Sequence, residues 1–449
     1  MPVFSLTTVL TDVRNTAIVL GRAGFAQEHA YEKASLFAGA AAMLPASDNS
    51  VAIYIPGRLE FLGKHTDYAG GRSIVAAIER GFCVVASPRD DNRFRITDAV
   101  TKENASFDIS PDLSPRPGHW SNYPMTLARR VARNFAAPFH GLDMAFASDL
   151  PPAAGMSSSS ALMIACFFAL AHVNQLFQQP EYAGNIQTHE DLAAYLATIE
   201  NGQTFGSLVG DQGVGTFGGS EDHIAILTSE AGKLRQYSYC PVRFEQSISL
   251  PGGHTFAIAA SGVAAEKTGS AMEKYNRASM LASAAVQQWN EATRRHDPHL
   301  AGAMACAPDA GQRLRGILAS DPDLLHRFEH FHAESSEIIP AAAEALMRGD
   351  MAALGTIIDR SQKLSETLLQ NQVPETIHLA GAARQLGAVA ASAFGAGFGG
   401  SVWAMIDVDS AARFLAGWQA DYARAFPDRV AAASFFLTGA GPAAIRLFA

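Results

Sequence analysis

The sequence predicts an α+β fold in two domains, and three observations carry that prediction. The chain has 449 residues, long enough for more than one core. Short β-rich runs bounded by glycine and proline dominate the first 260 residues, and long helical patterns fill most of the remainder. The two kinds of element do not alternate as regular βαβ units. The divide is placed near residue 230, giving domains of 1–230 and 231–449.

The elements follow in order. Residues 16–44 read as one or two alanine-rich helices. Val51–Ile55 is a short strand ended by Pro56-Gly57, and Ser73–Ser87 holds strand-like runs around Gly81. Residues 88–118 read as hairpin and loop, Tyr123–Phe135 as helix and Leu142–Ala147 as strand. A Pro/Gly/Ser loop and a helix from about Ser159 come next, then a helix over Asp191–Glu200. Seven glycines between 201 and 220 predict tight turns. Ile224–Leu227 and Thr255–Ala260 read as strands. Helical patterns fill 264–293, 299–318, 322–349 and 351–370, and Ala388–Ala393, a glycine turn and Val402–Ile406 read as strand–turn–strand.

Composition excludes several classes. Hydrophobic residues make up 48% and charged residues 17%, which is globular rather than disordered. A formal net charge of -9 argues against a nucleic-acid partner, which needs a basic footprint. The pair Arg129-Arg130 is too short for one and reads as a solvated helix face. Cys83, Cys166, Cys240 and Cys306 lie too far apart for a zinc site or a disulfide framework, which fits a reducing cytoplasm. The N-terminus lacks a basic region followed by an apolar core, and Ala161–Ala171 is too short to span a bilayer, so neither leader nor membrane partner is expected.

Three segments carry chemistry. The first, LPPAAGMSSSSAL over Leu150–Leu162, follows a strand and opens a helix. Small residues let such a turn approach a ligand, and the helix start presents free N–H groups to an anion. Its serine hydroxyls suit phosphate oxygens or a magnesium shell. Read alone, it is equally a serine-rich N-cap. It lacks the Gly-Lys-Ser/Thr run of a Walker A loop. The second, PGRLEFLGKHTDYAGG over Pro56–Gly71, packs Arg58, Glu60, Lys64, His65, Asp67 and Tyr68 into a turn-rich stretch that suits a polyhydroxyl ligand or, read alone, a solvated loop. The third, FGAGFGGSV over Phe394–Val402, has four glycines in seven residues, which calls for positive φ or for the close approach of a phosphate or another backbone.

Together these segments resemble the GHMP kinase superfamily, and within it the galactokinases. Pro56–Gly71 resembles the substrate motif, Leu150–Leu162 the ATP loop and Phe394–Val402 the third motif. Trp120-Ser-Asn-Tyr123, Tyr275-Asn-Arg277 and Pro374-Glu375-Thr376 are similar to shorter galactokinase segments, so the resemblance runs from about residue 50 to 405. It implies a two-domain kinase that binds ATP, Mg²⁺ and a sugar between its domains. By resemblance, Gly155, Ser157, Ser158 and Ser159 wrap the triphosphate and Trp120 stacks on adenine. Ser158, Ser159 and Glu200 hold Mg²⁺, and Asp67, His65 and Tyr275 meet the sugar. The catalytic aspartate maps to Asp222 in VGTFGGSEDHIAIL, with Asp211 of Asp211-Gln212 as competitor. Arg58 is expected to keep Asp222 ionised during attack by the anomeric hydroxyl.

Departures bear on the substrate. Glu60 stands where galactokinases usually carry asparagine, and Lys64 where they carry a glutamate facing the C6 hydroxyl. Ala153 replaces a loop glycine, and the stretch from Glu200 to Asp222 is longer than usual. A lysine at position 64 would attract a C6 carboxylate, as in galacturonate, unless it pairs with Glu60. Two other readings stay open: a catalytically silent sugar- and ATP-binding regulator, and a kinase of a non-sugar alcohol. The intact serine loop speaks against the first, and His65-Thr66-Asp67-Tyr68 against the second.

Overall fold

A computed structural model describes residues 5–47, 49–265 and 269–448. Residues 1–4 of the segment read for a leader, and 266–268 of the first long helical pattern, lie outside the described residues.

Among the described residues the strands form two sheets. The larger contains β1 (Val51–Leu62), β2 (Arg72–Pro88), β3 (Arg93–Asp98), β4 (Asn104–Asp108) and β5 (Leu142–Ser148). It also takes in β6 (Lys233–Ser238) and β7 (Arg243–Ser249). The smaller contains β8 (His254–Ala260), β9 (Ala390–Ala393), β10 (Ser401–Asp407) and β11 (Ser434–Thr438). The last strand, β12 (Ile445–Leu447), returns to pair with β1. The larger sheet runs β12-β1-β2-β5-β3-β4, with β6 and β7 added beside β2, and the smaller runs β11-β8-β10-β9. The sheets therefore part between Ser249 and His254, later than residue 230, and the boundary we propose lies there.

Alternation along the strands places two layers on the larger sheet. Val51, Ile53 and Ile55 point into the main core, which holds the helix Ser158–Val173. Ala52, Tyr54, Cys83 and Val85 point the other way, against Phe37 and Ala34 of the helix Gln27–Ala41. Beyond β8, helices Gly269–Thr293, Pro322–His332 and Met351–Leu364 cover the second half.

Three expectations are corrected. β1 does not stop at Pro56-Gly57 but continues to Leu62 through register shifts at Pro56/Arg58 and Glu60/Leu62. A bulge is where a strand can hold a proline, which has no N–H to donate. Arg58 and Glu60 thus sit on a buried strand, not in a solvated loop. Ile224–Leu227 is not a strand but part of the helix Glu221–Thr228. Arg129 and Arg130 are not solvated, being only 6% and 0% exposed.

These two arginines hold down the long stretch after Glu200. Arg130 Nη2 donates to the carbonyls of Gln203 and Leu208, at 2.8 and 3.1 Å. Arg129 Nε donates to Asp211 Oδ2 at 2.7 Å. Val214 N–H then returns to the carbonyl of Glu200 at 2.9 Å, closing the loop on itself. Asp211 is therefore a buried anchor. Asp211→Asn is expected to destabilise the protein by about 3 kcal/mol, because it leaves Arg129 buried without its charge partner. Thermal unfolding and steady-state kinetics on that variant would read both effects. Wild-type stability with a collapsed kcat would make Asp211 the base.

Candidate functional site

The second segment turns immediately after β1. His65, at φ 55°, and the short helical turn Asp67–Ala69 aim their side chains into a cavity that Arg58 and Glu60 reach from the strand. The opposite wall is Gly218–Gly219 and the first turn of the helix Glu221–Thr228, with Tyr275 completing the rim. A methyl group on Gly219 would sit 2.5 Å from Asp67 Oδ2, and one on Gly218 would sit 2.8 Å from the Tyr275 hydroxyl. These glycines let Asp67 and Tyr275 close on the cavity. Asp67 is held by the N–H groups of Tyr68 and Glu221, at 2.8 and 3.2 Å.

Arg58 organises the charges. Its Nε and Nη2 lie 2.7 and 2.6 Å from Asp222 Oδ1. Glu60 is 3.7 Å and Glu221 3.8 Å from the same guanidinium. Burial works against the charged form of Arg58, but Asp222, then Glu60 and Glu221, hold its pKa above the ordinary value. Asp222 also lies in the first turn of its helix, where the dipole favours a carboxylate.

Glu60 and Glu221 behave differently from Asp222. Burial raises the Glu60 pKa, against the pull of Arg58 and Lys64, and raises that of Glu221 further with help from the Glu60 charge. For both groups burial is the largest cause, and it favours the protonated form. Lys64 takes neither role foreseen for it. It is fully buried, donates to Ser392 Oγ at 2.8 Å, forms no ion pair with Glu60 among the described residues, and is not part of the cavity wall.

The first segment builds a second cavity, of about 290 Å³, lined by His119, Trp120, Tyr123, Gly155 and Ser157–Ser159. Ser157 caps the helix Ser158–Val173 in a left-handed conformation, φ 60° and ψ 35°. Its Oγ is buried and has no hydrogen-bond partner. Arg58 and Ala396 line both cavities, so the two meet there. At that junction Arg58 Nη1 is also buried without a partner. An orphaned serine hydroxyl, the start of a 16-residue helix and an unused guanidinium N–H together fit the phosphates of a nucleotide.

The third segment packs the first two together. Ser401 Oγ donates to the carbonyl of Ala154 at 2.7 Å, and Gly400, at φ 78°, lies against the same loop. A methyl group on Gly395 would fall 1.8 Å from Glu60 Oε2. Glycine is required here by close approach to Glu60 and to the loop backbone.

Glu200 ends up facing the cavity of Arg58 and Asp67 rather than the serine cavity. Its carboxylate accepts from Ser160 and Thr216, at 2.8 and 3.3 Å, and lies 3.4 Å from His223 Nε2. Sequence reasoning missed Glu221, His223 and Ser160. Glu221 was adjacent to the chosen aspartate, but only the helical turn brings both carboxyl groups to Arg58.

Comparison with known proteins gives the family. The galactokinase galactose-binding signature matches residues 47–88, the GHMP kinases N terminal domain 122–219 and the GHMP kinases C terminal domain 342–424. The chain belongs to the GHMP kinase superfamily. Within it the chain is a galactokinase-like, ATP-dependent sugar kinase. Galactokinase of Chloroflexus aggregans is 28% identical over 388 residues, covering 82% of this chain and 87% of that protein. Galactokinase of a Roseiflexus species is 29% identical over 385 residues, 84% of this chain and 88% of that one. Among solved structures, Lactococcus lactis galactokinase complexed with galactose superposes with a TM-score of 0.75 over 92% of this chain and 99% of its own, at 20% identity. Mevalonate kinase of Methanococcus jannaschii gives 0.53 over 87% and 98%, at 12% identity. At those identities the structures speak for the shared GHMP kinase fold alone. No helix among the described residues is long and apolar enough to cross a membrane.

The raised carboxyl pKa values have a consequence for stability. A carboxyl group whose folded pKa is raised binds protons more tightly in the native state, so its contribution is full below the ordinary carboxylate range and lost as pH rises through the folded value. Glu221→Gln removes the ionisable carboxyl group at nearly constant size. Its Tm should therefore gain on wild type progressively as pH rises above the ordinary carboxylate range. A Tm difference that stays flat as pH rises would show that the Glu221 pKa is not raised.

Proposed function

We propose that the chain transfers the γ-phosphoryl group of ATP to the anomeric hydroxyl of a neutral, galactose-type hexose, giving a sugar 1-phosphate. The observation that carries this reading is the junction of two cavities at Arg58, with Asp222 on one side and an unpartnered Nη1 on the other. Asp67, His65 and Tyr275 orient the sugar so that its anomeric hydroxyl meets Asp222. The hydroxyl oxygen forms the new bond to the γ-phosphorus as its proton passes to Asp222. The bond to the bridging oxygen breaks, and ADP leaves with that electron pair. Arg58 Nη1 and Ser157 Oγ offset the charge on the phosphoryl oxygens, in keeping with a reaction governed by positioning and neutralisation. Trp120 and Tyr123 offer aromatic faces for the adenine.

The hydroxyls of Ser158 and Ser159 and the carboxylate of Glu200 are oxygen donors of the kind Mg²⁺ takes, and Ser160 and Thr216 orient that carboxylate. No group of three or more metal-binding side chains occurs among the described residues, which suits an ion held largely by phosphate and water. When bound, the ion neutralises the β- and γ-phosphates.

The neutral sugar is favoured over a sugar acid by the charges of the cavity. Glu60, Asp67, Glu200, Glu221 and Asp222 line it, while Lys64 lies buried behind it on Ser392. A C6 carboxylate would enter a predominantly acidic pocket, where like-charge juxtaposition is costly. An ADP-release assay with galactose and galacturonate, with the product position assigned by phosphorus NMR, tests the reading. Galactose should be preferred at least about tenfold in kcat/KM, with phosphate at C1. A preference for galacturonate that Lys64→Glu erases would restore the sugar acid, and saturable binding without turnover would contradict catalysis.

A further inference from the structure

A third cavity, of about 150 Å³, opens between the helices Gly269–Thr293 and Pro322–His332 and the turn before Asn371. It shares no lining residue with either cavity of the active site. Its charged wall is cationic: Lys274, Arg277 and Arg327 against Asp323 alone. Arg277 and Asp323 pair at 2.6 Å and cancel, so Lys274 and Arg327 are left in excess. Leu281, Leu368 and Phe398 supply an apolar wall.

Arg327 makes this more than a basic patch. It is 1% exposed, yet it has no carboxylate partner among the described residues. Its Nε donates to the carbonyl of Ala278 at 3.0 Å, and its Nη2 to the carbonyl of His65 and, at 3.3 Å, to the Tyr68 hydroxyl. All three acceptors are uncharged. Nη1 is buried with no hydrogen-bond partner. A buried guanidinium with neither counter-charge nor full hydrogen bonding is costly. A bound anion would relieve both deficits with charge-assisted bonds.

We infer that this cavity is a binding site for a compact phosphomonoester or free phosphate, separate from the nucleotide site and coupled to the sugar site through Arg327. The coupling has a structural basis. His65 and Tyr68, which Arg327 holds, both line the sugar cavity and bond each other at 2.9 Å. Burial pushes the Tyr68 phenol up to about 12, so it remains a protonated donor across neutral pH. An anion drawing on Arg327 changes the support under these two residues and thereby sugar affinity. At about 150 Å³ the cavity has roughly half the volume of the serine-loop cavity, which suits a phosphate with a short carbon chain against the leucines better than a nucleotide.

Calorimetry on the full chain, with the serine loop saturated by a non-hydrolysable ATP analogue and Mg²⁺, separates this site from the nucleotide site. Inorganic phosphate and glycerol 3-phosphate are the probes, with glycerol and chloride as controls. One saturable site is expected. Tighter binding of glycerol 3-phosphate would identify a phosphomonoester as the ligand, and equal binding free phosphate. Lys274→Glu, an exposed substitution outside the catalytic machinery, should weaken binding by about tenfold or more while leaving kcat without anion unchanged. In wild type alone, the bound probe should shift the sugar KM. No saturation up to roughly 10 mM, or wild-type affinity in Lys274→Glu, would overturn the inference.

Discussion

Five carboxyl groups line one cavity, and Arg58 is the cation that lies against three of them. Without it, Asp222, Glu60 and Glu221 would be like charges taken out of water together. With it, they divide into two kinds. Asp222 takes two guanidinium N–H groups and the helix dipole. Glu60 and Glu221 are left farther from the charge, and burial raises the pKa of both. One arginine thus sets Asp222 apart from the two carboxyl groups beside it. This is the pattern expected where neighbouring acids need different roles.

The position of Arg58 is itself fixed by backbone contacts. Its N–H bonds the carbonyl of Met156 at 3.1 Å, tying the β1 bulge to the serine loop. Gly57 makes room for that contact, since a methyl group there would lie 2.7 Å from Leu150. From the other side, Gly395 approaches Glu60, and Ser401 bonds Ala154. The three segments therefore form one packed unit around the guanidinium. The separation of the two cavities is set by close backbone approach, which only small residues allow.

Much of this was legible in the sequence, for identifiable reasons. The strand–loop–helix around Leu150–Leu162 was readable because small residues and serines have few other uses at a helix start. The helices of the second half were readable from periodicity over many turns. Ile224–Leu227 was misread because four apolar residues cannot separate a strand period from a helical one. That error hid Glu221, which becomes a partner of Glu60 only once the helix turns it inward. Arg129 and Arg130 were misread because an adjacent basic pair usually faces water, and nothing local revealed that the long loop after Glu200 presents carbonyls and Asp211 to them. Lys64 could not be settled from four-residue spacing. Its partner, Ser392, lies 328 residues away.

The central claim is that Asp222, set by Arg58, is the group that receives the sugar proton. The most direct measurement is single-turnover phosphoryl transfer in Asp222→Asn, alongside nucleotide binding by the same variant. The account predicts a fall of at least about a hundredfold in the transfer rate with nucleotide affinity nearly unchanged. Transfer at the wild-type rate in that variant would contradict it.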